Sequence, residues 1–166
     1  MTKNYVLKHN SIDLIAYDFD GVMTDNKLLV FQDGKEAVVV NRTDGLGINI
    51  LKKLEIPQII LSTETNPVVA ARAKKVGLPV IQGIYNKKKA LTDYCLRHGF
   101  KLQNVIYVGN DMNDYDVMKA VGNPVAPADA HKDILNLAKI VLKSKGGHGV
   151  VRELADYIIN VNKIKG

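Results

Sequence analysis

Short apolar runs alternate with stretches of helical periodicity along this chain, and no other feature constrains its fold as strongly. The first run, residues 14–17, is apolar throughout and leads directly into acidic residues. Such a run is typical of a strand that is buried on both faces of a parallel sheet. Because similar runs recur with helical patterns between them, the sequence predicts one parallel sheet covered by helices on both faces.

Turn residues mark where the other elements begin and end. Asp33-Gly34 lies between two β-prone runs and predicts a β-hairpin, and Pro57 interrupts a helical pattern before the second buried strand. The predicted strands are 14–17, 28–31, 37–40, 58–61, 80–81, 105–108, 124–126 and 140–142, and the predicted helices are 44–54, 67–76, 87–99, 113–121, 131–138 and 150–161. They predict an α/β fold, a Rossmann-like three-layer sandwich with a hairpin insertion after the first strand, in a single domain over residues 1–166.

Composition excludes several classes of protein. Hydrophobic residues make up 46% of the chain, which excludes a disordered protein. No apolar run approaches the roughly 20 residues that span a bilayer, and residues 1–10 lack the apolar stretch of a signal peptide. The formal charge of +6 comes from scattered basic residues, and the absence of Trp leaves few platforms on which bases can stack. We therefore expect a soluble, cytoplasmic protein with a small anionic substrate rather than a nucleic-acid or membrane partner.

The chemically most informative side chains come directly after predicted strands. Ligands of open α/β sheets bind at the carboxyl ends of strands, so these residues are expected to converge on one edge. Asp18 and Asp20 would repel each other unless a divalent cation joined them, and hard oxygen ligands suit Mg²⁺. A carboxylate can also act as a nucleophile and form an aspartyl-phosphate. The residues expected at this edge are Asp18, Asp20, Ser62, Asn110 and Asp111.

Each of these segments alone also has a purely structural interpretation. Asp and Gly are ordinary turn residues, and Ser62 or Asp111 can cap a helix. Lys87 can be a solvated residue on a helix face. The residues taken singly leave both interpretations open.

In combination and in this order, the segments resemble the four-motif pattern of the haloacid dehalogenase superfamily. The pattern consists of DFDGVMTD at residues 18–25, Ser62, Lys87 and GNDMND at residues 109–114. The resemblance implies that Asp18 is the nucleophile, that Asp20 is the general acid and base, and that Ser62 and Lys87 hold the phosphoryl oxygens. It also implies a Mg²⁺ ion. The implied metal ligands are Asp18, Asp20, Asn110, Asp111 and Asp114.

The branch within this superfamily follows from what lies between Asp20 and Ser62. A hairpin and one helix occupy that interval and leave no room for a cap domain. The chain resembles the capless branch that acts on 3-deoxy-manno-octulosonate 8-phosphate or on nine-carbon ketoacid 9-phosphates, and residues 42–48 and 146–153 match that branch. The resemblance implies a homotetramer and a 2-keto-3-deoxy sugar acid phosphate as substrate, in lipopolysaccharide or sialic-acid metabolism. The implied substrate-binding residues are Asp44, Gly45, Glu64, Arg72, Gly147, His148 and Arg152.

Two departures from the pattern leave alternatives open. Asn110 stands where most of the branch has Asp, which should weaken Mg²⁺ binding. Ser62-Thr63-Glu64 replaces Thr-Gly-Arg or Thr-Gly-Glu, and Glu64 favours a nine-carbon substrate. Both forms also resemble the C-terminal module of animal CMP-sialic acid synthetases, which implies a weakly active or inactive oligomerisation module. A receiver domain also clusters acids at a strand end, but its separate Thr and Lys match this sequence less well.

Overall fold

The computed structural model describes residues 11–163, with side chains to residue 160. Residues 1–10, for which we expect no signal peptide, lie outside the described residues. The strands are β1 (Leu14–Tyr17), β2 (Leu29–Val30), β3 (Glu36–Ala37), β4 (Gln58–Leu61), β5 (Val80–Ile81), β6 (Val105–Val108), β7 (Asn123–Ala126) and β8 (Ile140–Val141). The helices are α1 (Arg42–Lys53), α2 (Val68–Val76), α3 (Lys87–His98), α4 (Tyr115–Ala120), α5 (Lys132–Leu137) and α6 (Val150–Lys163).

The predicted parallel sheet is confirmed. Within the described residues it has six strands in the order β5-β4-β1-β6-β7-β8, and every neighbouring pair is parallel. The chain runs outward from β1 through β4 to β5, then returns to the other side of β1 through β6. The strand order therefore reverses at β1, and clefts at the carboxyl ends of strands form at such a point.

Alternating side chains of the strands build two hydrophobic cores, one on each face of the sheet. Ile15 and Tyr17 of β1 pack in the core that also contains apolar residues of α1, α2 and α6. Leu14 and Ala16 pack in the opposite core, against α3, α4 and α5. This arrangement is the predicted three-layer sandwich, and it holds the end of β1 rigidly between two buried layers.

Helix ends differ from the predicted ones by one or two residues because capping side chains set them. The Asn41 side chain accepts a hydrogen bond from the Thr43 N–H, so α1 begins before the apolar periodicity does. Asp111 caps a 3₁₀ turn at Met112–Asp114, and α4 therefore starts later than predicted. Within residues 11–163, no helix is long and apolar enough to cross a membrane.

The hairpin insertion after β1 is present but shorter than predicted. Leu29 pairs with Ala37 and Val30 with Glu36 across a turn in which Gly34 has a φ of +82°. The predicted strand 37–40 was wrong beyond Ala37: among the described residues of this segment, only Val40 pairs again, in an isolated antiparallel bridge with Thr24. Apolar side chains of the hairpin are 48–63% exposed, and we call this surface the hairpin patch. The patch consists of Leu28, Leu29, Val30 and Phe31.

Candidate active site

The ends of three neighbouring strands form one cleft, as the sequence predicts. Asp18 follows β1, Ser62 follows β4, and Asn110 comes two residues after β6. The cleft has a volume of about 370 Å³. It is lined by Asp18, Asp20, Asn26, Thr63, Asn110, Asp111 and Asn113. The predicted residues Asp18, Asp20, Asn110 and Asp111 thus come together, while Ser62 is buried next to Thr63.

Lys87, at the start of α3, lies between two buried carboxylates. Its Nζ is 2.8 Å from Asp18 Oδ2 and 2.7 Å from Asp114 Oδ1. Burial alone lowers the pKa of Lys87, but the two carboxylates outweigh it and raise that pKa above its ordinary value. Lys87 is therefore charged at neutral pH, and it fixes the orientation of Asp18.

Asp114 lies behind the cleft, and hydrogen bonds occupy both of its carboxylate oxygens. Oδ1 accepts from the Tyr107 hydroxyl at 2.7 Å in addition to Lys87. Oδ2 accepts from the backbone N–H groups of Asn110 at 2.9 Å and Asp111 at 3.4 Å. Asp114 is fully buried, so its position supports the loop that carries Asn110 and Asp111.

Ionisation of the buried Asp18 carboxyl costs free energy. Burial raises its pKa well above the usual range and the Asp114 carboxylate raises it further, while Lys87 and the Phe19 N–H oppose the shift. A divalent cation in the cleft would favour the ionised form, which is the form that can act as a nucleophile.

Asp20 is in a different environment. Burial raises the pKa of its carboxyl, and the nearby Glu64 carboxylate raises it further. Thr24, fully buried, places its hydroxyl 3.4 Å from Asp20 Oδ1 and accepts hydrogen bonds from the N–H groups of Gly21 and Asn26. This environment suits a group that must hold a proton before it donates it. We call residues 18–25 the aspartate loop.

The oxygen atoms around the cleft fit a hard cation. Asn110 Oδ1 is buried and has no hydrogen-bond partner, so an acceptor is available beside Asp18. Gly21 leaves the space for this side chain, because a Cβ at Gly21 would overlap the Asn110 amide. Within the described residues, no group of three or more His, Cys, Asp or Glu side chains is arranged to hold a metal. A cation here would therefore depend on amide and backbone carbonyl oxygens as well as on carboxylates.

A second cleft, of about 190 Å³, adjoins the first. Its lining residues are Asp20, Asn26, Leu28, Glu36, Val38, Glu64, Asn66 and Val68. Glu64 Oε1 accepts from the N–H groups of Thr65 and Asn66, and Ser62 Oγ accepts from the Glu64 N–H. These bonds fix Glu64 in the wall of the second cleft, beside Asp20.

Six other predicted substrate-binding residues do not line either cleft: Asp44, Gly45, Arg72, Gly147, His148 and Arg152. Arg72 donates to the Asn41 carbonyl, and Arg152 pairs with Asp156 one turn along α6. The Nδ1 atom of His148 is 2.6 Å from the Gly146 carbonyl. Asp44 is buried, and its contacts are with the start of α6.

Sequence reasoning missed several residues that the structure brings to the site. Asn113 lies within the GNDMND segment and Thr63 directly follows Ser62, so their positions could have been noted. Tyr107 occupies a buried strand position and gave no polar signal. Asn26 lines both clefts with a φ of +63°, a conformation in which Asn is one of the few non-glycine residues found.

Comparisons with known proteins extend these observations. The family model of haloacid dehalogenase-like hydrolases matches residues 3–154. The 3-deoxy-D-manno-octulosonate 8-phosphate phosphatase of Escherichia coli K12 is 32% identical over 160 residues, covering 96% of this chain and 85% of that protein. A HAD family hydrolase from Streptomyces avermitilis has a similar structure (TM-score 0.91, 45% identity, 93% and 89% of the two chains). So does the Moraxella catarrhalis octulosonate 8-phosphate phosphatase in complex with magnesium, phosphate and KDO (TM-score 0.88, 27% identity, 92% and 88%).

Proposed function

Because this chain belongs to the haloacid dehalogenase-like hydrolases, and within them to the capless branch of the 3-deoxy-D-manno-octulosonate 8-phosphate phosphatases, we propose that it is a Mg²⁺-dependent phosphatase of a 2-keto-3-deoxy sugar acid phosphate. The observation that carries the proposal is that Asp18 and Asp20 line one cleft with different partners. Burial raises the pKa of both carboxyl groups, but Asp18 contacts the Lys87 ammonium group, whereas Asp20 has the Thr24 hydroxyl nearby. The names of the relatives support the substrate class.

The chemistry follows from these two carboxyl groups. An oxygen of Asp18 bonds to phosphorus as the ester P–O bond breaks, and Asp20 donates its proton to the departing alcohol oxygen. Asp20, now ionised, accepts a proton from a water molecule that attacks the aspartyl-phosphate. The bond between phosphorus and Asp18 then breaks, which releases inorganic phosphate and restores the Asp18 carboxylate. We propose that Ser62, Thr63 and Lys87 steady the phosphoryl oxygens.

The metal assignment is also a proposal. The Asp18 carboxylate, the Asp20 backbone carbonyl, Asn110 and Asp111 would hold Mg²⁺, which supplies charge neutralisation at the phosphoryl group. In this proposal Asp114 supports the site rather than binding the metal, because its oxygens accept hydrogen bonds from Lys87, a hydroxyl and two backbone N–H groups.

Glu64 and the hairpin patch refine the proposal. Glu64 in the second cleft supports a preference for the nine-carbon 9-phosphate over the eight-carbon 8-phosphate. The hairpin patch consists of four consecutive exposed apolar residues, of which Leu28 lines this cleft, and clusters of exposed apolar side chains mark protein contacts. We therefore include in the proposal a homotetramer in which a neighbouring copy covers the patch.

The patch and Asn110 also favour a second candidate, an assembly module with a weak or inactive site. Loss of one negative charge at position 110 weakens metal binding, whereas the patch serves assembly in either case. Oligomerisation therefore does not separate the two candidates, and turnover does.

The test is phosphate release from 2-keto-3-deoxy-nononate 9-phosphate and octulosonate 8-phosphate, with Mg²⁺ or with chelator. The variants are Asp18→Asn and Asp116→Asn, the second being the same change at an exposed position in the first turn of α4. We expect Mg²⁺-dependent turnover that is lost in Asp18→Asn and kept in Asp116→Asn. Equal and negligible turnover of wild type and Asp18→Asn, in folded oligomers, would refute the phosphatase and favour the assembly module.

A further inference from the structure

Helix α6 begins without a capping side chain of its own. The residue before it is Gly149, with a φ of +91°, which has no side chain to accept from the first-turn N–H groups. Asp44 of α1 takes this role from a distant part of the sequence. Its Oδ1 accepts from the Val151 N–H at 3.0 Å and from the Arg152 N–H at 3.2 Å. A carboxylate at this end of a helix is also favoured by the helix dipole.

The close approach of α1 to α6 makes this contact possible. A Cβ at Gly47 would meet the backbone of Val151 and Arg152, so only glycine lets the two helices come this near. Asp44 lies one turn before Gly47 on α1 and therefore faces the same region of α6. The Asp44 carboxylate is buried and makes no contact with either cleft.

The segment before α6, residues 143–149, is held in the same way by other carboxylates, and we call it the glycine loop. Glu153 in the first turn of α6 accepts from the N–H groups of Lys143 at 2.9 Å and Ser144 at 2.7 Å. Asp129 accepts from the Gly146 N–H at 2.9 Å. The Glu153 side chain thus attaches this loop to the first turn of α6.

The glycine loop in turn packs against the aspartate loop. The Gly147 N–H donates to the Val22 carbonyl at 3.0 Å. A Cβ at Gly146 would overlap the Gly21 carbonyl, and one at Gly147 would overlap the backbone between Thr24 and Asp25. The contact is therefore backbone against backbone, and a shift of the glycine loop must displace the segment that carries Asp20 and Thr24.

From this chain of contacts we infer that Asp44 is a positioning residue of the active site. Asp44 accepts hydrogen bonds from the first turn of α6, and Glu153 of that turn binds the glycine loop. The glycine loop packs against the aspartate loop, which carries Asp20. The kinetic part of the inference rests on the proposed phosphatase activity, whereas the structural part does not. This role differs from direct substrate binding, which the family resemblance implied for Asp44.

The test combines amide hydrogen exchange with steady-state kinetics on Asp44→Ala and Asp44→Asn. Alanine removes the acceptor, so exchange at Val151, Arg152 and Gly147 should become about five- to tenfold faster. We expect kcat for 2-keto-3-deoxy-nononate 9-phosphate to fall about tenfold or more with KM changed less than about twofold. Asparagine keeps an oxygen acceptor and should restore both readouts. Asp133→Asn, an exposed acid in the first turn of α5, is the matched control and should match wild type.

Each outcome decides the inference. Unchanged exchange at Gly147 in Asp44→Ala would overturn it, as would faster exchange with an unchanged kcat in an active enzyme. A raised KM with kcat unchanged would mean that Asp44 binds substrate, which also overturns the inference.

If Asp44→Ala does not fold, Asp44→Asn decides the inference. Normal exchange with normal kcat supports it, and normal exchange with a tenfold loss of kcat refutes it. If wild type releases no phosphate, the proposed function fails, and exchange alone tests whether Asp44 holds the two loops.

Discussion

Replacing Lys87 with methionine should destabilise the protein by about 3–5 kcal/mol at neutral pH, the usual cost of breaking a buried ion pair. The side chains of Lys87, Asp18 and Asp114 are 1%, 5% and 0% exposed, so water cannot take the place of the ammonium group. Methionine fills most of the volume but leaves two carboxylates facing each other in a buried site. For a domain of this size the cost corresponds to a fall in Tm of roughly 6–20 °C.

Urea unfolding and calorimetry at pH 7 measure this loss directly. Lys88→Met is the control, because Lys88 is exposed on the same turn of α3 and its replacement should change stability by less than about 0.5 kcal/mol. Adding Asp114→Asn to Lys87→Met should recover part of the loss, since one of the two facing charges is then gone. The loss should also shrink at acidic pH, because burial already raises the pKa of Asp18 and protonation removes its charge. A cost below about 1 kcal/mol at pH 7 would show that Lys87 does not balance these carboxylates.

Three further predictions concern single sites. Gly21→Ala should lower the free energy of unfolding in urea by about 1–3 kcal/mol, because the backbone has a φ of +78° and the new Cβ would overlap Asn110. Gly34→Ala is the control: its φ is +82°, but the space around it is open, so it should cost less. Equal costs would contradict the steric argument. Asn110→Asp should tighten Mg²⁺ binding roughly tenfold in titration calorimetry, since it adds a negative ligand; unchanged affinity would exclude position 110 as a ligand. Burial raises the pKa of Asp44 from its ordinary value of 3.8 to about 6, so the stabilisation from its protonated form is present below pH 3.8 and is lost as the pH rises through 6. Relative to Asp44→Asn, wild type should lose up to about 3 kcal/mol between pH 4 and 7 in urea unfolding, and parallel curves would refute the assignment.

The fold was largely predictable because its strands are short, buried and separated by turn residues. The runs that form β1, β4 and β6 were placed at their observed bounds, since each is a buried run of four residues that are all or mostly apolar. The two-residue β5 was also placed at its observed bounds, although it is only half-buried. The hairpin was less predictable. Its β-prone run continues past Ala37, but the hairpin pairing ends there and only Val40 pairs again, with Thr24, because sequence patterns do not report which partner a strand has.

The site was predictable where it depends on strand ends and not where it depends on packing between distant helices. Asp18, Asp20 and Asn110 line one cleft because they follow the ends of β1 and β6, which are neighbouring strands of the parallel sheet. Their chemical roles stay predictions. Asp44 illustrates the limit: its motif suggested a substrate contact, yet the approach of α1 to α6, which no local pattern encodes, directs its carboxylate into a helix end.

The contact between Gly21 and Asn110 makes two distant positions interdependent. Because the Asn110 amide occupies the volume that a Cβ at position 21 would need, a larger residue at either position must be matched by a smaller one at the other. Mutant libraries aimed at the metal preference of this cleft should therefore vary both positions together. Among natural variants of this chain, the two positions are expected to change as a pair, which an alignment of its orthologues can measure as covariation.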